Sequence, residues 1–325
     1  MPEHDNGYKL LFAYPRLVED LLRGYVQEAW VEQLDLSTLE RVSGSFVSDD
    51  LRERHNDLLW RALWKPENGE PCPVYILLEF QSQPHPYMPV RILAYEVMLL
   101  QELIRRNKLA PGGALPPVIG IAVYRGKPRW RTPVELAKLF PPVSGGLGRY
   151  LPRFEHILLD ERRLGSADLE SSRNLAAVVF RLETVTSPEE ALQLWLLLHD
   201  WLPRSEAELR RTFTIWMLRV VHRSFPGVTI SGVADLEDFP MFEENMKAWR
   251  RRMEADARRE GRKEGKDEGR IEGMREVLLG LMKQRFGRVP VAVRQQIKAL
   301  DSQAELRRLS KKLLSAGSLE EMGFN

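Results

Sequence analysis

Two polar residues end an otherwise apolar run: in Val74-Tyr75-Ile76-Leu77-Leu78-Glu79-Phe80-Gln81 a carboxylate and an amide stand two positions apart. On a β-strand that spacing puts both on one face, and the apolar residues before them read as a strand covered on both sides. An ionised carboxylate is not left buried alone, because its desolvation costs too much. Three surroundings would satisfy Glu79: solvent at the strand's end, an arginine, or a hard divalent cation such as Mg²⁺, which takes oxygen ligands. Asp57 is the second candidate carboxylate, at the start of the run Asp57-Leu58-Leu59-Trp60-Arg61-Ala62-Leu63-Trp64. If 57–64 and 74–82 pair as a hairpin around 66–71, Asp57 and Glu79 meet at one edge of the sheet. A two-residue turn centred on Asn68-Gly69 sets Asp57 opposite Phe80, on the wrong face. A loop one residue longer or shorter sets it opposite Glu79 or Gln81. Pro66, Pro71 and Pro73 disfavour a tight ladder up to the turn and so favour the longer loop.

Other residues offer weaker chemistry. Asp160 ends a predicted strand and serves either as a further acid or as a helix cap or loop residue. Arg91, on a long predicted helix, is placed to contact a phosphate or to pair with a site carboxylate. The segment Arg125-Gly126-Lys127-Pro128-Arg129-Trp130-Arg131 gathers four basic residues around a tryptophan. It is either a salt-sensitive phosphate-contacting loop or a solvated turn with Trp130 packed down. The six histidines are scattered with no helix-face ligand spacing, and Cys72 is the only cysteine. A zinc site and an intramolecular disulfide are thereby disfavoured.

The elements that must position these groups follow from periodicity. Residues 5–26 repeat apolar positions at helical spacing, broken at Pro15 into two helices. Strands are predicted at 39–48, 57–64, 74–82, 118–124 and, shorter, at 154–160. A helix from about Tyr87 to Arg106 separates the third strand from the fourth, with Val90, Leu93, Ala94, Val97 and Met98 near one face. The order helix, three strands, helix, strand is an α/β pattern. Residues 167–223 read as two or three Leu- and Trp-rich helices, with Trp195, Trp201 and Trp216 in the core. Beyond them lies a strongly charged stretch, and one or two short helices follow in 289–325.

Within the charged stretch Glu260, Glu264, Glu268 and Glu272 recur every fourth residue, each followed by glycine at 261, 265, 269 and 273. Four interior glycines cost a helix about 3–4 kcal/mol relative to alanine. Close approach of a partner helix along the glycine row would offset that cost; a solvated linker helix is the alternative.

Taken together, Asp57, the pair Glu79 and Gln81, and the hairpin between two helices resemble the PD-(D/E)XK nuclease superfamily, with Gln81 where a lysine is usual. His4-Asp5, Lys9-Leu10-Leu11-Phe12, Asn56-Asp57-Leu58-Leu59-Trp60, Leu77 to Ser82, and Met88-Pro89-Val90-Arg91 with Tyr95 narrow the resemblance. Over roughly residues 4–225 they are similar to the recombination-promoting nucleases, a family also labelled transposase-like. The resemblance implies a restriction-endonuclease-like core followed by a helical region and a charged helical tail. It further implies Mg²⁺-dependent DNA cleavage of low sequence specificity linked to recombination, with Mn²⁺ able to substitute. Asp57 and Glu79 would hold the metal, and Gln81 would orient water or phosphate without a lysine's charge. His4 and Asp5 match the family's opening, and they serve either there or as caps of the first helix.

The expected organisation is a nuclease-like core over 1–165, a helical extension over 166–240, a Glu-Gly repeat helix or linker over 241–288, and a small helical segment over 289–325. The net charge of +2 requires any DNA-binding surface to be local; Arg91, Lys127, Arg129 and Arg131 are its candidates. The N-terminus lacks the pattern of a signal peptide and no apolar run reaches membrane-spanning length, so a cytoplasmic protein without a membrane partner is expected. Two functions compete. One is a metal-dependent endonuclease hydrolysing phosphodiesters. The other is a catalytically weak or inactive nuclease-like protein that binds DNA and assembles through the 260–275 helix.

Overall fold

The computed structural model describes residues 3–42, 58–161 and 173–324. Helices α1 (Glu3–Leu11) and α2 (Pro15–Tyr25) meet at the predicted break, where Pro15 opens α2. At a helix start the missing N–H of proline is one that would have no helical partner anyway. Strand β1 (Leu34–Arg41) follows, then β2 (Leu58–Trp64) and β3 (Cys72–Gln81), helix α3 (Met88–Arg105), β4 (Val118–Tyr124) and β5 (Ile157–Asp160). The strands form one sheet in the order β1-β2-β3-β4-β5. The first three are antiparallel neighbours, and β3, β4 and β5 run parallel. The change of direction is forced by α3, which carries the chain back across the sheet between β3 and β4.

The sheet is covered on both faces. On one, Met88, Ile92 and Tyr95 of α3 pack with Leu77, Ala122, Tyr124 and Trp130. On the other, Tyr8 of α1 and Phe12 just beyond it lie against Phe80 with ring centres 5.8 and 5.3 Å apart, and Phe180 joins them. Phe180 belongs to α4 (Leu175–Glu183), which is capped by Asn174 accepting from the Ala177 amide and is followed by α5 (Pro188–Trp201) and α6 (Ala207–Ser224). Trp195, Trp201 and Trp216 are all buried, as the helical spacing requires.

Two predicted elements shift. The first strand begins at Leu34 rather than at 39. Its register slips between Asp35 and Glu40, so Leu34, Leu36 and Leu39 are buried although Leu39 breaks the alternation that marks a strand in sequence. Residues 43–48 of that expected strand lie outside the described residues. The face of α3 also differs: Met88, Ile92, Tyr95, Glu96, Leu99, Glu102 and Leu103 are buried, while Val90 and Val97 are exposed. The expected face of Val90, Leu93, Ala94, Val97 and Met98 is thus not the buried one.

The described chain divides into two compact units, Met1–Met246 and Lys247–Asn325. The boundary falls within α7 (Phe239–Phe286), which is followed by α8 (Val291–Lys298) and α9 (Gln303–Ser315). The second unit has its own core, built from Leu278, Met282, Val293, Ile297, Leu306, Leu309 and Leu313.

Candidate metal and nucleic-acid site

The β2–β3 ladder runs from Trp64↔Cys72 to Leu58↔Leu78. Residues 65–71 form the connection, so the register is that of a longer loop and not of a two-residue turn on Asn68-Gly69. Asp57 itself lies outside the described residues. Glu79 is the next β3 residue after Leu78, and its neighbour on the other side is Ala122 of β4.

Glu79 is 1% exposed. Its Oε1 receives two donors: Arg91 Nη2 at 2.6 Å and Gln81 Nε2 at 2.5 Å. Alternation along β3 makes Gln81 a same-face neighbour of Glu79, which explains the short side-chain bond. Arg91 reaches the pair from the first turn and a half of α3, and its Nε donates to Tyr95 Oη at 2.6 Å. Positions 91 and 95 are one helical turn apart and therefore stack on one side of α3. The guanidinium also lies 5.7 Å from the Tyr95 ring centre. Of the three surroundings open to Glu79, the described residues supply the arginine.

Parallel register extends the same face across the sheet. Gln81 pairs with Tyr124, and Tyr124 with Asp160. Asp160 is buried and stands two strands from Gln81, a separation of about 10 Å by strand spacing. The structure thus puts Glu79, Gln81 and Arg91 in direct contact, and Asp160 on their face but at a distance. Among the described residues no three metal-ligating side chains converge.

The loop after β4 is split. Trp130 is 5% exposed; its ring meets Tyr124 edge-on at 4.9 Å, and Nε1 donates to Thr132 O at 2.8 Å. It is therefore a packing residue. Lys127, Arg129 and Arg131 point outward and are exposed. Arg125 does not join them. Its side chain is 7% exposed, 3.6 Å from Glu183 and 4.5 Å above the Tyr8 ring, on the opposite face of the sheet. Tyr124 and Arg125 are consecutive in an extended chain, so they go to opposite sides.

Sequence reasoning missed two buried acids near this framework. Glu96 of α3 lies against Gly120, where an added Cβ would come within 3.0 Å of Oε1. Burial pushes its carboxyl up to about 7. Glu161, next to Asp160 but on the Arg125 side, is raised to about 8 by burial and by the Glu183 and Asp160 charges, against the pull of Tyr8 and Arg125. A lone Glu in a helix gives no warning of this. For Glu161, strand alternation past Asp160 was the available signal.

The chain matches the family described as "Putative transposase, YhgA-like" over residues 2–211. The chain belongs to that family. It is 30% identical over 123 residues to the recombination-promoting nuclease RpnD of Escherichia coli O157:H7, which is 38% of this chain and 45% of the relative. It is 33% identical over 124 residues to the recombination-promoting nuclease RpnA of E. coli K12, 38% of this chain and 40% of the relative. The chain thus spans less than half the length of these two relatives. A third K12 protein, named a putative inactive recombination-promoting nuclease-like protein, YjiP, is 28% identical over 97 residues, 30% of this chain and 91% of its own length. No solved structure matches.

Proposed function

We propose that this protein is a Mg²⁺-dependent DNA endonuclease with a restriction-endonuclease-like core, cleaving phosphodiesters with little sequence specificity in recombination. The observation that carries the reading is the buried Glu79 at the end of β3, bonded to Gln81 and held by Arg91. The relatives named as nucleases point the same way. Asp57, which lies outside the described residues, and Glu79 are assigned as the metal ligands on the resemblance of their sequence pattern to metal-dependent nucleases. Carboxylate oxygens suit a hard cation, and the buried Glu79 needs a positive partner, the place that Arg91 takes here. Asp57 and Glu79 would hold Mg²⁺ or Mn²⁺, which would supply polarisation of the scissile phosphate and a lowered pKa for the attacking water.

The chain's own residues do the rest. Gln81 orients water or phosphate through its amide, Asp160 is a further acid on the same face, and Lys127, Arg129 and Arg131 contact the DNA backbone. Two copies pair through the 260–275 helix, and the protein works in the cytoplasm. For the described residues, no helix is long and apolar enough to cross a membrane.

A second reading, an inactive or weak nuclease-like protein that binds DNA and self-assembles, is favoured by one observation. Position 81 carries an amide in place of a lysine, and Arg91 already neutralises Glu79. Plasmid DNA incubated with Mg²⁺ and the wild type, Asp57→Ala or Glu79→Ala separates the two. Nicking by the wild type alone is expected. Equal nicking by all three assigns the cleavage to a contaminant and sinks the enzyme; a silent wild type that shifts DNA in a gel selects the second reading.

A further inference from the structure

We propose that Arg91 supplies the positive charge that a lysine at position 81 would carry, holding Glu79 when no metal is bound and turning to a DNA phosphate when one is. The inference rests on the nuclease reading and names the residue that completes its site.

The need for a charge is chemical. Attack on a phosphodiester builds negative charge on the phosphoryl oxygens, and a fixed cation aimed at them stabilises it. Gln81 donates N–H groups but carries no charge. Among the other cations near this end of the sheet, Arg125 is committed to Glu183 and the Tyr8 ring on the opposite face, and Lys127, Arg129 and Arg131 are exposed on the loop after β4. Arg91 touches both a site carboxylate and the solvent. Its Nη2 is 2.6 Å from Glu79 Oε1, yet its side chain remains 30% exposed beside a glutamate at 1%. The guanidinium therefore spans from the buried acid to the surface from which a phosphate arrives.

Its mounting favours a turn rather than a departure. The Nε–H bond to Tyr95 Oη and the contact with the Tyr95 ring anchor the head group one helical turn along α3. Pivoting on that bond redirects the Nη groups, and the planar fork of arginine matches phosphate oxygens as well as it matches a carboxylate. A dication beside Glu79 would repel a guanidinium held at the same oxygen, with several kcal/mol at stake at such a separation in a protein site. Metal arrival and the turn of Arg91 are thus one event.

The test uses the full chain with four changes: Arg91→Gln, Arg91→Lys, Gln81→Lys, and Arg91→Gln combined with Gln81→Lys. Mn²⁺ binding is read by titration calorimetry, and duplex DNA binding by fluorescence anisotropy with Ca²⁺. Plasmid nicking with Mg²⁺ completes the set, and a thermal melt confirms folding. Arg91→Gln removes the competitor at Glu79, so Mn²⁺ binding should tighten about tenfold while DNA binding weakens and nicking falls about 100-fold. Arg91→Lys keeps a charge and should fall between the wild type and Arg91→Gln. Adding Gln81→Lys to Arg91→Gln should restore nicking to within about tenfold of the wild type. Mn²⁺ affinity that is unchanged or weaker in a folded Arg91→Gln or Arg91→Lys protein overturns the proposal, whether or not the wild type cleaves. Failure of the nuclease reading looks different: a wild type that never nicks while Arg91→Gln still tightens Mn²⁺ leaves the metal–arginine exchange standing without the enzyme.

Discussion

Glu96 and Glu102 are buried on the same helix and are accommodated in opposite ways. Glu102 bonds Arg105 and Arg106, and these cations hold its carboxyl below the usual range. Glu96 has a backbone bond from Gly120 to help it, and burial raises it from 4.5 to about 7. Between pH 4.5 and about 7 the unfolded chain releases this proton while the folded chain keeps it. Stability contributed by the protonated form is therefore complete below pH 4.5 and is lost as pH rises through 7. His156 has the opposite sign. Burial lowers it from 6.5 to about 4, so its part is lost as pH falls through that window. Glu96→Gln should raise the melting temperature more at pH 8 than at pH 5, in scans at both values; equal gains would show a carboxylate that stays charged when folded. At Glu79 the effect is on ligation. Glu79→Gln should leave the protein folded in urea titrations, costing about 1 kcal/mol for the carboxylate partner that the partly exposed Arg91 loses. Its Mn²⁺ affinity should fall at least about tenfold, since one of two charged ligands is gone. A variant that binds Mn²⁺ as the wild type does would remove Glu79 from the site.

At the scale of elements, α3 rests on β4 through one glycine. A Cβ at Gly120 would lie 2.1 Å from Ile92 Cγ2 and 3.0 Å from Glu96 Oε1. Gly120→Ala must lift α3 off the sheet, at a cost of about 1–3 kcal/mol of overpacking. It should also loosen the hold of Arg91 on Glu79; denaturant melts and the Mn²⁺ titration read both, and an unchanged midpoint would contradict the packing. The glycines of α7 are a different case. At 261, 265, 269 and 273 nothing lies within 4 Å of an added Cβ. Gly265→Ala with Gly269→Ala should raise helicity by circular dichroism, each worth about 0.5–1 kcal/mol. It should lower the mass by light scattering if close approach of a second copy depends on the missing methyls; a constant mass ends the pairing proposal. Periodicity made most elements legible: β4 coincides with its predicted span, and β2, β3 and α3 agree to within two residues at each end. What it could not supply was phase. The slip in β1 and the buried face of α3 both depend on neighbours far along the chain, as does the hairpin register that aligns Leu58 with Leu78. Within the site, Glu79 and Gln81 were legible because an apolar strand set them off. The bond of Glu79 to Arg91 was one of two options for that arginine, and Glu96 was invisible because burial of a carboxylate is decided by packing.

For the whole molecule, the near balance of 48 basic and 46 acidic residues confines attraction for DNA to a few places. With Lys127, Arg129 and Arg131 exposed and Arg91 half-exposed, the slope of log affinity against log salt should be about −3 to −4. A slope near zero would leave the loop after β4 without a role. The division at Met246 and Lys247 leaves the sheet, α3 and their covering helices in the first unit, and a separate apolar core in the second.

The alternation of β3 has a consequence for how such a gene changes. Glu79 and Gln81 face α3, while Phe80 between them faces Tyr8 and Phe12. One codon gained or lost between Cys72 and Leu78 would exchange these roles, driving a carboxylate among aromatic rings and presenting a phenyl group where a cation should sit. The same event between Lys65 and Pro71 would only lengthen or shorten a connection. A lineage carrying this hairpin therefore stands a single small insertion from silence in one stretch, and can drift freely in the stretch beside it.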